Sequence, residues 1–137
     1  LIATDISQRA LARARSGEHA PRSLREGYPQ ELADKYLHSA AGKLRVAPHI
    51  RAAVRFTHLN LLDQAAIESL QPFDLILCRN VLIYFRDERA QQVVKLLTAA
   101  LKPGGVLLVG VSESLLRFGT ALVCEERAGS FYYRKEG

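Results

Sequence analysis

Phe73-Asp74-Leu75-Ile76-Leu77-Cys78-Arg79-Asn80 is the stretch from which the rest of the chain can be read. Its first six residues form a nearly unbroken apolar run, bounded by Pro72 on one side and by Arg79-Asn80 on the other. A run of that length, interrupted only by Asp74, is the pattern of a strand covered on both faces in a parallel sheet, and so of a central strand. A parallel neighbour needs a crossover, and one follows. After Asp87 the apolar residues Ala90, Val93, Val94, Leu97 and Leu101 recur at helical spacing until Lys102-Pro103-Gly104-Gly105 closes the segment. Val106 to Val109 then reads as a second buried strand. Strand, amphipathic helix and strand in that order predict an α/β domain with a mostly parallel sheet.

Working outward, the same alternation begins the chain. Leu1 to Thr4 is apolar and ends at Asp5; Ser7 stands where a helix N-cap is expected before Gln8 to Ser16, and Gly17 stops that helix. From Glu18 to Gln30 the chain is polar and punctuated by Pro21, Gly27 and Pro29, which predicts an irregular connection, followed by a short helix through Glu31 to Leu37. Leu44-Arg45-Val46 and Ala53-Val54-Arg55-Phe56 are short β-like pieces broken at Pro48, read as a small antiparallel β-subdomain inserted over residues 37–56. At the other end, Ala121 to Glu126 and Ser130 to Arg134 are expected to pair as a closing hairpin around Ala128-Gly129.

Composition bounds the class. The chain has 137 residues, 48% apolar and 24% charged, which fits one folded globular domain. Apolar runs such as Gly105 to Val111 fall far short of the roughly 20 residues a bilayer span requires, and no basic-then-apolar leader opens the sequence. The expected compartment is the cytoplasm, which also suits Cys78 and Cys124 as unpaired thiols. His19, His38, His49 and His58 are scattered without ligand-like spacing, so no metal is expected. The net charge is +5; residues 1–55 carry ten Lys/Arg against five Asp/Glu, and residues 56–137 nine of each. A basic first part suits an acidic protein surface, a nucleic acid, an anionic membrane or plain solvent, and charge does not choose among them.

Ligands of parallel sheets bind beyond the carboxyl ends of the strands. Asp5, Asn60, Arg79-Asn80 and Ser112-Glu113 all fall at such ends. Asp5 is placed to accept hydrogen bonds from two ribose hydroxyls, or alternatively to serve as a helix-start carboxylate. Asn60 carries a donor and an acceptor suited to an adenine edge, with Leu61-Leu62 to cover the ring, though an asparagine there equally serves a turn. Arg79 is either a ligand-facing cation or the partner of a structural carboxylate. For Tyr84, inside Val81-Leu82-Ile83-Tyr84-Phe85, a core position is the ordinary reading.

Read to its end, the opening stretch is FDLILCRNVLIYF, Phe73 to Phe85, and it resembles the signature of the chemotaxis receptor methyltransferase family. Supporting matches run in the same order: ATDIS at Ala3 to Ser7, ARSG at Ala14 to Gly17, NLL at Asn60 to Leu62, LKPGG at Leu101 to Gly105 and SESL at Ser112 to Leu115. The resemblance implies a Rossmann-like fold that binds S-adenosylmethionine, with a small antiparallel β-subdomain. It implies that Asp5 holds the ribose, that Asn60 and Leu61 contact the adenine, that Arg79 and Asn80 line the cofactor pocket, and that Tyr84 stands near the transferred methyl as the catalytic residue. The implied reaction converts glutamate carboxylates on the cytoplasmic helices of a methyl-accepting chemoreceptor to methyl esters, leaving S-adenosylhomocysteine.

Two departures bear on the expectation. The family's helical N-terminal domain, first strand and glycine-rich loop have no counterpart in these residues, and the sequence has no methionine, so a piece of a longer protein is expected. Without that strand, the strands ending at Asp5 and Cys78 would have to pair directly or be completed by another chain in a strand-swapped homo-oligomer. The contrasting expectation is a non-catalytic module that keeps a protein-binding surface and has lost the cofactor. A nucleic-acid methyltransferase is disfavoured, because RNVLIYF lacks a Pro-Pro-Tyr-type element.

Overall fold

Ser7 acts as its position predicts: its Oγ accepts the N–H of Ala10 at 3.2 Å, opening helix α1 (Gln8–Ser16) directly after strand β1 (Ile2–Asp5). Gly17 ends the helix in the left-handed region, φ 63°, with its N–H on the carbonyl of Ala14. The computed structural model describes residues 1–24, 27–70 and 72–137. Arg25 and Glu26, part of the expected irregular connection, and Gln71 lie outside the described residues. The chain forms two compact units, Leu1–Leu59 and Asn60–Gly137.

In the first unit, β1 pairs in parallel with a strand whose partner the sequence did not reveal. That strand is β5 (Arg55–His58), registered from Ile2 opposite Arg55 to Asp5 opposite His58. Helix α1 is tied to it by Arg15, whose Nη2 donates to the carbonyl of Phe56 at 3.2 Å, and it buries Leu11. A separate antiparallel sheet has the order β2-β4-β3 and comprises β2 (Glu18–His19), β3 (Leu37–Ala40) and β4 (Lys43–Val46), with α2 (Gln30–Tyr36) leading into β3.

The span 37–56, read as one antiparallel insertion, is therefore mixed. Residues 37–46 are antiparallel sheet, but Pro48 starts a short helix, α3 (Pro48–Ala52), instead of merely breaking a strand, and Arg55–His58 joins β1. A proline's fixed φ and missing N–H suit the first turn of a helix as well as a loop. Glu18–His19, expected to be irregular, is a strand because Glu18 gains two cationic partners on β4, Lys43 and Arg45, each at 2.8 Å. The hydrogen bond from Lys43, its charge and that of Arg45 together hold the Glu18 carboxyl below its ordinary value.

The second unit is the strand–helix–strand core predicted. Asp63 caps α4 (Gln64–Glu68) through its Oδ1, which accepts the N–H of Ala66 at 3.0 Å. Then come β6 (Phe73–Cys78), α5 (Asp87–Ala100), β7 (Leu101–Val109), β8 (Leu122–Arg127) and β9 (Ser130–Lys135), in a sheet of order β6-β7-β9-β8. Helix α5 lays Ala90, Val93, Val94, Leu97 and Ala100 into the core with Leu101, Leu107, Leu115 and Tyr133, all buried.

Two details differ from expectation. Strand β7 begins at Leu101, not Val106, because Lys102-Pro103-Gly104-Gly105 is absorbed as an irregularity: Phe73 faces Leu101 while Leu75 already faces Val106. Strand β6 is not covered on both faces. Ile76 and Cys78 pack with the core, but the alternate residues Leu75 and Leu77 are 52% and 64% exposed, and among the described residues its strand partner is β7 alone.

Both hairpins turn through two residues with positive φ, Ala41-Gly42 (50° and 72°) and Ala128-Gly129 (50° and 74°). Such primed turns match the twist of the strands, but an alanine Cβ is strained there and asparagine is tolerated. Ala41→Asn and Ala128→Asn are each expected to stabilise the protein by about 0.5–1 kcal/mol, read as a higher urea midpoint at unchanged slope.

Candidate cofactor-binding site

Parallel strands β6 and β7 end side by side, Cys78 opposite Val109, and the chain leaves each through a turn. After β7, the N–H of Glu113 bonds the carbonyl of Gly110 at 2.9 Å and the carboxylate folds back, its Oε2 accepting the Gly110 N–H at 2.6 Å. The same oxygen accepts the N–H of Asn80 at 2.7 Å, and Oε1 accepts that of Ile83 at 3.2 Å. One carboxylate thus joins the loops that follow both strands. Glu113 is 5% exposed, the one buried charged or polar side chain among the described residues. Burial pushes its pKa up, but the N–H groups of Gly110, Asn80, Ile83 and Leu82 outweigh that and hold it below the ordinary value. It is therefore ionised at neutral pH with no cationic partner among the described residues.

The loop this carboxylate holds carries three of the six residues singled out from the sequence. Asn80 adopts φ 57°, a left-handed conformation that asparagine tolerates better than most residues. Leu82, 3% exposed, anchors a 3-10 turn over Leu82–Tyr84. Tyr84 is 83% exposed, so the core reading of this tyrosine does not hold. Arg79 is exposed and has no ion pair among the described residues. Neighbouring Cys78 is buried; burial first, and the Glu113 charge second, push its thiol up to about 11, so it stays protonated and is no nucleophile.

The other three candidates occupy strand and turn ends. Asp5, in the first unit, closes β1; its Oδ1 accepts the Ser7 N–H at 2.7 Å, leaving Oδ2 without a partner among the described residues. Asn60 opens the second unit in a turn, Oδ1 accepting the Leu62 N–H at 3.0 Å and its carbonyl accepting the Asp63 N–H at 2.9 Å, so the turn role is real while Nδ2 remains available. Leu61 is half-buried against the cluster containing Cys78 and Leu82. Glu113 was recognisable as a polar residue beyond a strand and as part of the SESL match; that it grips the loop after β6 has no local signature, since its partners there, the N–H groups of Asn80 and Ile83, are about thirty residues away.

Within the second unit, the Asn60 amide and the Arg79 guanidinium, without side-chain partners among the described residues, are donor types that suit a nucleoside bearing an amino-acid tail. Fold comparison defines the class: the N-methyltransferase NodS from Bradyrhizobium japonicum WM9, solved with S-adenosyl-L-homocysteine, aligns over 100% of this chain and 67% of its own, with a TM-score of 0.59 and 16% identity. The fold is thus that of the Rossmann-like methyltransferases. More specifically, the profile described as "CheR methyltransferase, SAM binding domain" matches residues 1–127, and the chain belongs to that family, whose cofactor is S-adenosylmethionine.

Among its relatives, "Chemotaxis protein methyltransferase 1" of Pseudomonas aeruginosa is 40% identical over 116 residues, 84% of this chain and 42% of the relative. "Chemotaxis protein methyltransferase 2" of Vibrio cholerae is 37% identical over 136 residues, 98% of this chain and 47% of the relative. "Probable biofilm formation methyltransferase WspC" of P. aeruginosa is 34% identical over 114 residues, 83% of this chain and 27% of the relative. The chain spans less than half the length of each. No helix of the described residues is long and apolar enough to cross a membrane.

The joint between the two loops leaves no room at Gly110, where an added Cβ would lie 2.5 Å from Asn80 Oδ1 and 2.7 Å from Glu113 Oε2. Gly110→Ala is expected to cost about 1–3 kcal/mol of stability, measured by urea unfolding, through displacement of Asn80 and Glu113.

Proposed function

We propose that this chain supplies the cofactor-binding part of a methyltransferase that esterifies glutamate carboxylates on the cytoplasmic helices of chemoreceptors, in chemotaxis-type signalling. The observation that carries this reading is the Phe73–Phe85 stretch, which lies within a family correspondence that runs over residues 1–127; relatives of this chain are named as chemotaxis methyltransferases. In this reading Asp5 takes the ribose through its free oxygen, Asn60 and Leu61 take the adenine, Arg79 and Asn80 line the pocket, and Tyr84 stands beside the reacting methyl. Exposure of Arg79, Asn80 and Tyr84 on one braced loop supports those roles.

S-adenosylmethionine, when bound, supplies a methyl made electrophilic by its sulfonium. A glutamate carboxylate has a pKa of about 4.3 and is already a nucleophile at neutral pH, so the protein needs no general base. Its task is to bring carboxylate and methyl into line and to exclude water that would otherwise solvate the charge. Arg79, an exposed cation, and Tyr84, an exposed phenol, are suited to receiving an acidic side chain at the loop tip. The basic excess of residues 1–55 suits the approach of an acidic helical surface.

Calorimetric titration of this chain with S-adenosylhomocysteine tests the cofactor assignment. Binding in the micromolar range, weakened at least about tenfold by Asp5→Ala through loss of charge-assisted hydrogen bonds, is the expected result. A folded chain that binds none, or binds equally well without the Asp5 carboxylate, would contradict it.

A further inference from the structure

We infer that Glu113 is the positioning residue of the cofactor loop: its carboxylate, held by the backbone of the turn after β7, sets the conformation in which Arg79, Asn80 and Tyr84 are presented. This inference rests on the reading of that loop as cofactor-binding. Its grounds are geometric. The loop leaves β6 through a left-handed residue, Asn80; Leu82 packs into the core, while Ile83 and Tyr84 beyond it are 54% and 83% exposed. On either side of Leu82, the N–H groups of Asn80 and Ile83 are both donated to Glu113, which fixes the backbone where packing does not.

Nor is the carboxylate itself free to move. Gly110 donates to the oxygen that Asn80 also uses, at 2.6 Å against 2.7 Å, and a side chain at Gly110 would occupy the space in which Asn80 and Glu113 meet. The residue after the turn is fixed as well, since the N–H of Leu115, 0% exposed, donates to the hydroxyl of Tyr133 on β9 at 3.0 Å. Rigidity thus passes from the sheet through Leu115 and Gly110 to Glu113, and from Glu113 to the loop. A neutral glutamine of the same shape would present an N–H₂ group to one set of N–H donors and could satisfy only the other.

Amide NMR of the labelled 137-residue chain, combined with titration by S-adenosylhomocysteine, tests this. In the parent sequence the amide protons of Asn80, Ile83 and Gly110 are expected downfield and slow to exchange, as donors to a carboxylate. In Glu113→Gln all three move upfield and exchange faster, and affinity for S-adenosylhomocysteine falls by about tenfold or more. Lys102→Ala, which removes a surface ion pair with Asp74 in the same unit, leaves both readouts unchanged. A folded Glu113→Gln chain with unaltered amides, or with altered amides and undiminished affinity, overturns the inference. If Glu113→Gln does not fold, Glu113→Asp, which keeps the charge but withdraws it by one methylene, is read in its place by the same criteria. Failure of the parent chain to bind overturns the cofactor reading and this role with it, whereas equal binding by parent and variant overturns the positioning role alone.

Discussion

The parallel pairing of β6 with β7, closed over by α5, is the constraint on which the second unit depends. Helix α5 offers five residues to the core, and they are satisfied by Leu101 and Leu107 of the strand that follows it. Because the crossover is direct, with Leu101 both ending the helix and beginning the strand, the register of β7 against β6 has little freedom. That register brings Cys78 level with Val109, and so brings the two outgoing turns within reach of one carboxylate. A slip of a single residue would turn the alternating side chains to the opposite face and carry Gly110 away from Asn80.

The charge at that junction is of an unusual kind for this chain. The ion pairs, such as Lys102 with Asp74 and Lys43 with Glu18, lie on exposed or partly exposed side chains, where solvent screening leaves each a small contribution. Glu113 is buried and has no cationic partner among the described residues; its solvation is replaced by backbone dipoles that the fold holds in place. An acceptor surrounded by N–H groups is stable as an anion and poor as a base, which suits a structural role.

Much of this architecture was legible in the sequence because its signals are local. The Ser7 cap, the Gly17 stop, the periodic face of α5, the apolar run of β6 and the hairpin at Ala128-Gly129 each depend on residues within a turn or two of one another. What escaped depends on distant partners. Arg55–His58 reads as one more short β piece, and only β1 makes it a parallel strand; Glu18–His19 reads as loop until β4 supplies Lys43 and Arg45. The exposure of Leu75 and Leu77 contradicts what an apolar run implies, since composition reports what a strand can bury and not what lies against it. At the site, residue types at strand ends were readable, as were the alternatives for Asn60. The exposure of Tyr84 and the grip of Glu113 were not, because they are properties of tertiary placement.

The strand pairings also imply an order of assembly. Ala40 meets Lys43 and Arg127 meets Ser130 across two-residue turns, so these hairpins can close within microseconds of the chain's release. Ile2 meets Arg55 only after the whole intervening segment has been gathered, and nothing is gained from that encounter until the loop entropy has been met. The strand bearing Asp5 therefore waits on a more distant partner than either hairpin does, and than the β6–β7 pair that carries Arg79 and Asn80. During synthesis, β1 would wait for a partner strand made considerably later.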